Sequence, residues 1–295
     1  MLSYFQAIVI GLLQGVTELF PVSSLGHSVL IPGLFGWDNL VAGQSAEESF
    51  YLAFLVGLHV ATAIALLIYF RRDWSRIIRA FFSLARKRKV ETPDERLAWL
   101  LIIGTIPVGI VGLVFEHTLR TIFAKPLAAA IFLTINGLIL LGGERVRRRT
   151  EVRMRAHAQG GSGPDDTDRA LSNLGYKEGV IIGSAQILSL FAGISRSGTT
   201  MVAGLLRGLD HEDAAKFSFL LATPIIVAAG LYKLPDLAGP LGNGIRGQIL
   251  VGSLCAGAAG YLAVRFLVHY FATRTLTPFG IYCLIAGALC IIRFA

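Results

Sequence analysis

The stretch from position 190 to position 200, LFAGISRSGTT, carries the polar residues of this sequence that are best suited to chemistry. Its one arginine, Arg196, lies inside an otherwise apolar region. An arginine at membrane depth costs several kcal/mol unless it has a partner, and its planar guanidinium group suits bidentate binding of a phosphate. Glycines and a helix that starts just beyond them turn backbone N–H groups toward an anion. We therefore predict a phosphate-binding site formed by Arg196 together with Gly193, Ser195, Ser197, Gly198, Thr199 and Thr200.

A polar patch that only packs helices together is the alternative for this stretch, because Ser and Thr side chains form hydrogen bonds between membrane helices. Small hydroxyl residues alone would favour that interpretation. The arginine among them favours the phosphate site, because a charged side chain within a bilayer usually marks a functional site.

A second polar group lies near the start of the chain, in QGVTELFPVSSLGH at positions 14–27. Gln14 and Glu18 are four residues apart and therefore share one face of a helix. We predict that Glu18 holds a divalent cation, Mg²⁺ or Ca²⁺, together with substrate phosphate oxygens, or that it orients a nucleophile. Ser24 is the candidate nucleophile, and His27 is a candidate general acid/base or nucleophile. Gln14 and Ser23 are candidate substrate-binding residues.

Together with Arg196, which would stabilise charge on a transferring phosphoryl group, these residues are the parts needed to cleave a phosphoanhydride bond. Each of them also has a simpler interpretation. Glu18 would serve only as the ion-pair partner of Arg196, His27 as a packing histidine, and Gln14 as a hydrogen-bonding residue between helices. His59, in the third apolar stretch, is predicted to be structural.

The composition indicates an integral membrane protein. Of the 295 residues, 54% are hydrophobic and 16% are charged, and the mean hydropathy is +0.64, which is too apolar for an ordinary soluble domain. The formal net charge of +8 comes from clustered basic residues, so it indicates membrane topology and no nucleic-acid partner. The three cysteines lie in apolar runs and fit buried packing better than a disulfide or a metal site.

The apolar runs predict an all-α polytopic membrane protein with two broken segments and six complete transmembrane helices. The broken segments, at 2–36 and 177–208, have polar tips. We interpret them as re-entrant helical hairpins, which a bilayer tolerates only where protein or water covers the tip. The six spans are predicted at about 50–70, 97–115, 125–143, 213–233, 247–270 and 276–293.

Charge bias predicts the orientation of the chain. Of the 27 lysines and arginines, 17 lie in the two segments 71–96 and 144–177, and the positive-inside rule places both segments in the cytoplasm. The segment 37–49 has acidic residues and no lysine or arginine, so we predict that it faces outside. With three spans between the hairpins, the hairpins enter from opposite sides and both termini lie outside.

An internal repeat supports this layout. Shifting the chain by 172 positions gives ten identities in 37 positions, against roughly three expected from composition. These pairs include Ile10/Ile182, Gly11/Gly183, Gln14/Gln186, Ser23/Ser195 and Gly26/Gly198. The predicted organisation is a first repeat at 1–143, a basic cytoplasmic linker at 144–176 and a second, inverted repeat at 177–295. Inverted repeats place broken helices near the midplane, so we predict that the two polar tips face each other.

Three stretches resemble the undecaprenyl-diphosphate phosphatase family of the bacitracin-resistance type: QGVTELFPVSSLGH at 14–27, GISRSGTT at 193–200 and RGLDHEDAAKFSFLLATP at 207–224. The resemblance implies a metal-dependent enzyme of the bacterial plasma membrane that hydrolyses a C55 isoprenoid diphosphate to its monophosphate. That reaction recycles the lipid carrier for peptidoglycan synthesis. Two residues depart from the family pattern: Ala192 replaces a proline, and Gln14 replaces a carboxylate that would be a metal ligand.

A transporter is the alternative of a different class, because inverted repeats around a midplane site also occur in proteins that move ligands across bilayers. A flippase for a polyprenyl phosphate would need Arg196 to hold the phosphate but would not need Glu18 and His27 as an acid/base pair. The sequence is compatible with an oligomer and does not set the oligomeric state.

Overall fold

The computed structural model describes residues 2–37, 40, 50–87, 89–123, 125–158, 171–239 and 243–295. Regular structure within these residues is helical. The α-helices in chain order are α1 Tyr4–Thr17, α2 Ser24–Leu34, α3 Phe50–Tyr69, α4 Arg71–Lys87, α5 Pro93–Phe123, α6 Pro126–Ala158, α7 Tyr176–Ser184, α8 Arg196–Leu206, α9 His211–Ala238, α10 Arg246–Phe271 and α11 Thr277–Phe294. Two 3₁₀ segments, Leu171–Asn173 and Ala185–Leu190, precede and follow α7.

Six of the described helices, namely α3, α5, α6, α9, α10 and α11, are long and apolar enough to cross a membrane. Each overlaps one of the six predicted spans, so the prediction of an all-α polytopic membrane protein is confirmed. α5 and α6 are longer than predicted, because they continue to Phe123 and Ala158. The protein is therefore a multi-pass membrane protein.

Both segments predicted to be broken contain two short α-helices with a non-helical tip between them, and in the second segment the 3₁₀ segment Ala185–Leu190 precedes the tip. A serine caps the second helix of each pair in the same manner. The Ser23 hydroxyl accepts a hydrogen bond from the Gly26 N–H at 3.2 Å, and the Ser195 hydroxyl accepts one from the Gly198 N–H at 3.1 Å. Because such N-caps satisfy an otherwise unpaired backbone N–H, they fix where α2 and α8 begin.

The basic segment 71–96, which lies between the first two predicted spans, is largely helical. α4 occupies Arg71–Lys87 and packs on α5. Its buried residues, Ile77 and Leu84, are seven positions apart and therefore lie on the same side of the helix. Burial of this narrow apolar stripe stabilises a helix whose other residues are mostly polar.

The predicted linker 144–176 is helical in its first part, because α6 continues to Ala158. The Gly/Ser/Asp-rich piece predicted at 159–169 lies outside the described residues. Most of the predicted outside segment 37–49 also lies outside them.

The two broken pairs pack against spans from opposite halves of the chain: α1 packs on α10, and α7 packs on α5. Both contacts bring backbone against backbone. A Cβ atom on Gly11 would collide with the backbone of Gly252, and a Cβ atom on Gly183 would collide with the backbone of Gly104. Because small residues let membrane helices approach closely, these glycines fix each broken pair on its supporting span.

Candidate active site

The two polar tips meet, as the sequence predicts. The Gly193 N–H donates to the Ser23 hydroxyl at 3.2 Å, and the Ser197 hydroxyl donates to the Phe20 carbonyl oxygen at 3.2 Å. Gly193 has a φ of +113°, a conformation that favours glycine. A Cβ atom on Gly26 would lie 2.8 Å from the Gly193 Cα atom. The tips therefore touch backbone to backbone, and this contact requires glycine on both sides.

Asn136, in α6, binds both tips at once, a role that the sequence analysis missed. Its Nδ2 donates to the Pro21 carbonyl oxygen of the first tip at 2.9 Å, and its Oδ1 accepts from the Ser195 N–H of the second tip at 3.0 Å. The side chain is fully buried. A lone amide inside an apolar span was the available sequence signal.

Glu18 is the centre of the site and is only 7% exposed. Its Oε1 pairs with Nη2 of Arg196 at 2.7 Å, so an ion pair joins the two tips. Its Oε2 accepts hydrogen bonds from the Ser24 hydroxyl at 2.5 Å and from the Gln14 amide at 2.9 Å, and lies 3.4 Å from Nε2 of His59. These donors offset the cost of removing the carboxylate from water. We call these five residues the Glu18 cluster.

Arg196 leaves one of its guanidinium nitrogens unused. Nη2 is bonded to Glu18, whereas Nη1 is buried and has no hydrogen-bond partner among the residues that the structure describes. A buried donor without an acceptor costs about 1–3 kcal/mol. Arg196 is also the first residue of α8, at the electrostatically positive end of that helix. An anion that reached Nη1 would be stabilised by this unused donor and by the positive end of α8.

Ser24 is the first residue of α2 and is partly accessible, whereas its neighbour Ser23 is buried. The short hydrogen bond from its hydroxyl to Glu18 directs the proton toward a carboxylate. A hydroxyl paired with an adjacent base is the arrangement that activates a serine nucleophile. The structure therefore brings together three of the predicted catalytic residues, Glu18, Ser24 and Arg196.

The hydroxyl groups of the second tip form hydrogen bonds to other groups of the protein. Those of Ser195 and Ser197 are 3.0 Å apart, Thr199 donates to the Ser195 carbonyl oxygen at 3.0 Å, and the Thr200 hydroxyl lies 2.6 Å from that of Ser218. The four tip residues are at most 3% exposed. Their contacts determine the shape of the tip, and direct contact of these side chains with a substrate stays a prediction.

His27 forms its hydrogen bonds outside the Glu18 cluster. Its Nδ1 is 2.7 Å from the Ser23 carbonyl oxygen, and its Nε2 is 2.7 Å from the Tyr282 hydroxyl. Because a carbonyl oxygen only accepts, we infer that Nδ1 carries the proton and that Nε2 of the neutral ring accepts from Tyr282. Both ring nitrogens are thus engaged, and proton transfer by His27 stays a prediction.

His59 lies in the site instead, although the sequence analysis treated it as structural. Its Nδ1 is 2.8 Å from the Leu55 carbonyl oxygen, which fixes the ring, and its Nε2 faces Glu18. The His59 side chain is 30% exposed, so its imidazole is accessible from outside the cluster. A polar residue in the middle of an apolar span was the sequence signal for this role.

Comparison with known proteins identifies the family. The family profile described as "Bacitracin resistance protein BacA" matches residues 7–289. The chain belongs to the BacA family. It is 58% identical to "Undecaprenyl-diphosphatase 2" of Frankia alni, over 100% of this chain and 98% of the relative. It is 57% identical to "Undecaprenyl-diphosphatase" of Mycolicibacterium paratuberculosis with the same coverage, and 42% identical to "Undecaprenyl-diphosphatase 2" of Chromobacterium violaceum over 96% of each chain.

The Glu18 cluster of this BacA-family site offers a cation a single carboxylate, whose oxygens already accept hydrogen bonds within the cluster. Among the described residues, no group of three or more His, Cys, Asp or Glu side chains lies close enough to hold a metal ion. Glu18 is the carboxylate of the cluster, and Gln14 donates an N–H to it. Because Mg²⁺ often binds through one or two carboxylates plus substrate phosphates, Glu18 would hold such an ion once a diphosphate supplies the other oxygens.

Proposed function

We propose that this BacA-family chain is an undecaprenyl-diphosphatase, which hydrolyses undecaprenyl diphosphate to undecaprenyl phosphate and inorganic phosphate in the bacterial plasma membrane. One observation carries the proposal: the unused Nη1 of Arg196 and the Ser24 hydroxyl flank the same buried carboxylate, Glu18. The names of the relatives agree with this reaction and give no support to the flippase alternative.

In this mechanism Arg196 and the positive end of α8 bind the terminal phosphate. The Ser24 oxygen attacks the terminal phosphorus atom, and the Ser24 proton passes to Glu18. The bond from that phosphorus to the bridging oxygen breaks, its electron pair leaves with undecaprenyl phosphate, and Glu18 protonates the leaving oxygen. Water then attacks the phosphoserine while Glu18 accepts a proton from the water and returns it to the Ser24 oxygen.

A divalent cation, Mg²⁺ or Ca²⁺, belongs to the proposal. Glu18 is the residue of this chain that would hold it in the substrate complex, before Glu18 takes the Ser24 proton, and the cation would neutralise part of the charge on the diphosphate. Chelation with EDTA should lower phosphate release and leave the melting temperature of the substrate-free protein unchanged, because the cation binds with the substrate. A large loss of melting temperature in EDTA would indicate a resident structural metal instead.

His27 is the candidate for a second proton-transfer group. Its Nε2 is bonded to the Tyr282 hydroxyl, so proton transfer requires this bond to break during turnover. Its two hydrogen bonds also support a positioning role, because they connect the Ser23 backbone to α11.

The proposed architecture is a pair of inverted repeats with α1–α2 and α7–α8 as re-entrant hairpins. Corresponding contacts support it: each hairpin packs, glycine to glycine, on the middle span of the other repeat, and each tip has the same serine N-cap. With the basic segments in the cytoplasm, both termini lie outside.

Single-cysteine labelling tests this orientation. An impermeant thiol reagent should label Asn243→Cys, between α9 and α10, in intact cells of a cysteine-free background. It should not label Arg148→Cys until the cells are permeabilised. Labelling of position 148 in intact cells contradicts the proposed topology.

The activity itself is tested with purified protein in detergent micelles. We expect release of inorganic phosphate from undecaprenyl diphosphate by the parent protein, and no release by Ser24→Ala, although Ser24→Ala should still show a ligand-induced thermal shift. Absence of phosphate release from the folded parent protein, together with movement of a labelled polyprenyl phosphate between leaflets of vesicles, would favour the flippase.

A further inference from the structure

The outward side of α4 has an exposed apolar strip. Ile77 and Leu84 are buried, whereas Ile78, Phe81 and Phe82 are 48%, 41% and 66% exposed. At about 100° per residue, the three exposed side chains lie in one arc directly beside the buried pair. The apolar surface of α4 is therefore wider than the part that the protein covers.

The side of α4 that is turned away from the buried pair, Ile77 and Leu84, is basic. Arg72, Arg79 and Arg86 repeat every seven residues, share one face and are all exposed. The helix contains six basic residues and one acidic residue, Asp73, which is paired with Lys216 at 3.0 Å. Most of the positive charge of α4 is therefore presented outward.

The contacts of α4 place it across one end of the spanning helices. It begins directly after α3 ends. Asp73 pairs with Lys216 near the start of α9, and the Ser83 hydroxyl donates to Glu95 in the first turn of α5 at 2.9 Å. The end of α3 and the starts of α9 and α5 lie on one side of the membrane, so α4 runs along the membrane–water boundary at that side.

We propose that α4 is an interfacial helix that binds anionic phospholipid headgroups of this leaflet. Ile78, Phe81 and Phe82 enter the acyl-chain boundary beside the protein, and the arginines of the basic face contact lipid phosphates. Aromatic and aliphatic residues on one side and arginines on the other are typical of such helices, and basic residues next to a span attract anionic lipids. A second copy of the chain is less suited to cover the apolar strip, because it would bring the basic faces of two α4 helices together. This inference is independent of the proposed phosphatase activity.

Spin labelling of the full chain in vesicles tests the placement. In a cysteine-free background, F82C carries a nitroxide label on the apolar strip, and R79C carries the matched label on the basic face. We expect the label at 82 to be accessible to oxygen and shielded from a water-soluble nickel chelate, and the label at 79 to show the reverse. Access of the nickel chelate to position 82 would overturn the proposal. So would spectral broadening at position 82 that grows with protein density, because a second copy would then cover the strip.

Lipid selectivity tests the charge. The parent protein should restrict the motion of spin-labelled phosphatidylglycerol in preference to spin-labelled phosphatidylcholine. Replacing Arg72, Arg79 and Arg86 together by glutamine should lower this preference several-fold, whereas lysine at the same positions should keep it, because an ammonium group retains the charge. Near-parent melting temperatures of both variants establish that they are folded. Equal selectivity of the glutamine variant and the parent would overturn the assignment of anionic lipid to this face.

Discussion

The first and second tips share a serine N-cap but differ in backbone and side chains, since Ser23 has a φ of +71° and Ser195 a φ of −86°. Ser24 and Arg196 occupy equivalent positions in the 172-residue repeat, and each is the first residue of a helix that begins with a serine N-cap. Both bond to Glu18, at 2.5 Å and 2.7 Å. In the second tip, the position equivalent to Glu18 is occupied by Leu190.

This difference shows how two tips with the same serine cap form an asymmetric site. The starts of α2 and α8 both reach one carboxylate, Glu18. In the proposed reaction the hydroxyl at one position attacks and the guanidinium at the other stabilises charge, two tasks that a phosphoryl transfer needs at different atoms. The proposed chemistry therefore depends on three side chains, and the two serine-capped helix starts place two of them, Ser24 and Arg196.

Loss of the shared carboxylate should have the largest effect. Glu18→Gln keeps the shape of the side chain but removes the base next to Ser24 and leaves Arg196 without a counter-charge. We expect kcat for phosphate release to fall roughly 1000-fold, within the range for loss of a general base. Gln14→Ala removes another hydrogen-bond donor to Oε2 of Glu18 and should lower kcat far less. A loss of less than about tenfold in kcat would be smaller than the loss expected for removal of a general base. That result would remove Glu18 from the mechanism.

Arg196→Lys tests the contribution of the second tip. An ammonium group keeps the charge but cannot reproduce two parallel hydrogen bonds to phosphate. We expect a loss of about 100-fold in kcat/KM, equivalent to about 3 kcal/mol. Arg207→Lys, at the other end of α8, is the matched control and should match the parent. Near-normal turnover of a well-folded Arg196→Lys protein would show that Arg196 does not grip phosphate.

Asn136→Ala tests whether the tips depend on a common tether. The change leaves the Pro21 carbonyl oxygen and the Ser195 N–H without their buried partner. The free energy of unfolding should fall by about 2 kcal/mol, measured by denaturation in mixed micelles. Thr134→Ala on the same helix removes only a hydrogen bond to the Ala130 carbonyl oxygen and should be much milder. Equal stability of the two variants would mean that the tips hold each other without α6.

Tyr282→Phe should have the smallest effect. It removes the hydroxyl bonded to Nε2 of His27 and leaves the stacked ring in place. We expect kcat to fall less than about fivefold, since one hydrogen bond contributes about 1 kcal/mol. A fall in kcat as large as that of Glu18→Gln would show that the His27–Tyr282 pair takes part in the reaction. It would contradict the separation of this pair from the Glu18 cluster.

The six spans could be predicted from the sequence because each is a long apolar run, a signal that does not depend on its surroundings. α4 could not be predicted in the same way. Its six basic residues dominate the segment, and the stripe formed by Ile77 and Leu84 becomes meaningful only when α5 is present to cover it.

The centre of the site could be predicted because charges at membrane depth need partners, and the repeat indicated that Glu18 and Arg196 would lie close together. His59 and Asn136 could not be found by spacing. Each is a single polar residue in an apolar span, and its contact with a tip depends on how whole helices pack. His27 shows the reverse case, since it is close to Ser24 in sequence but its ring contacts Tyr282 on α11.

The packing of α1 on α10 has a consequence for the order in which the protein is made. α1 is translated near the start of the chain, whereas α10 begins only at Arg246. The nascent first hairpin therefore has no supporting helix until α10 has been made, and Glu18 has no ion-pair partner until Arg196 has been made. The site is thus assembled late, after both halves of the chain have entered the membrane, and a ribosome that stops before α10 produces a chain whose first hairpin has no surface on which to dock.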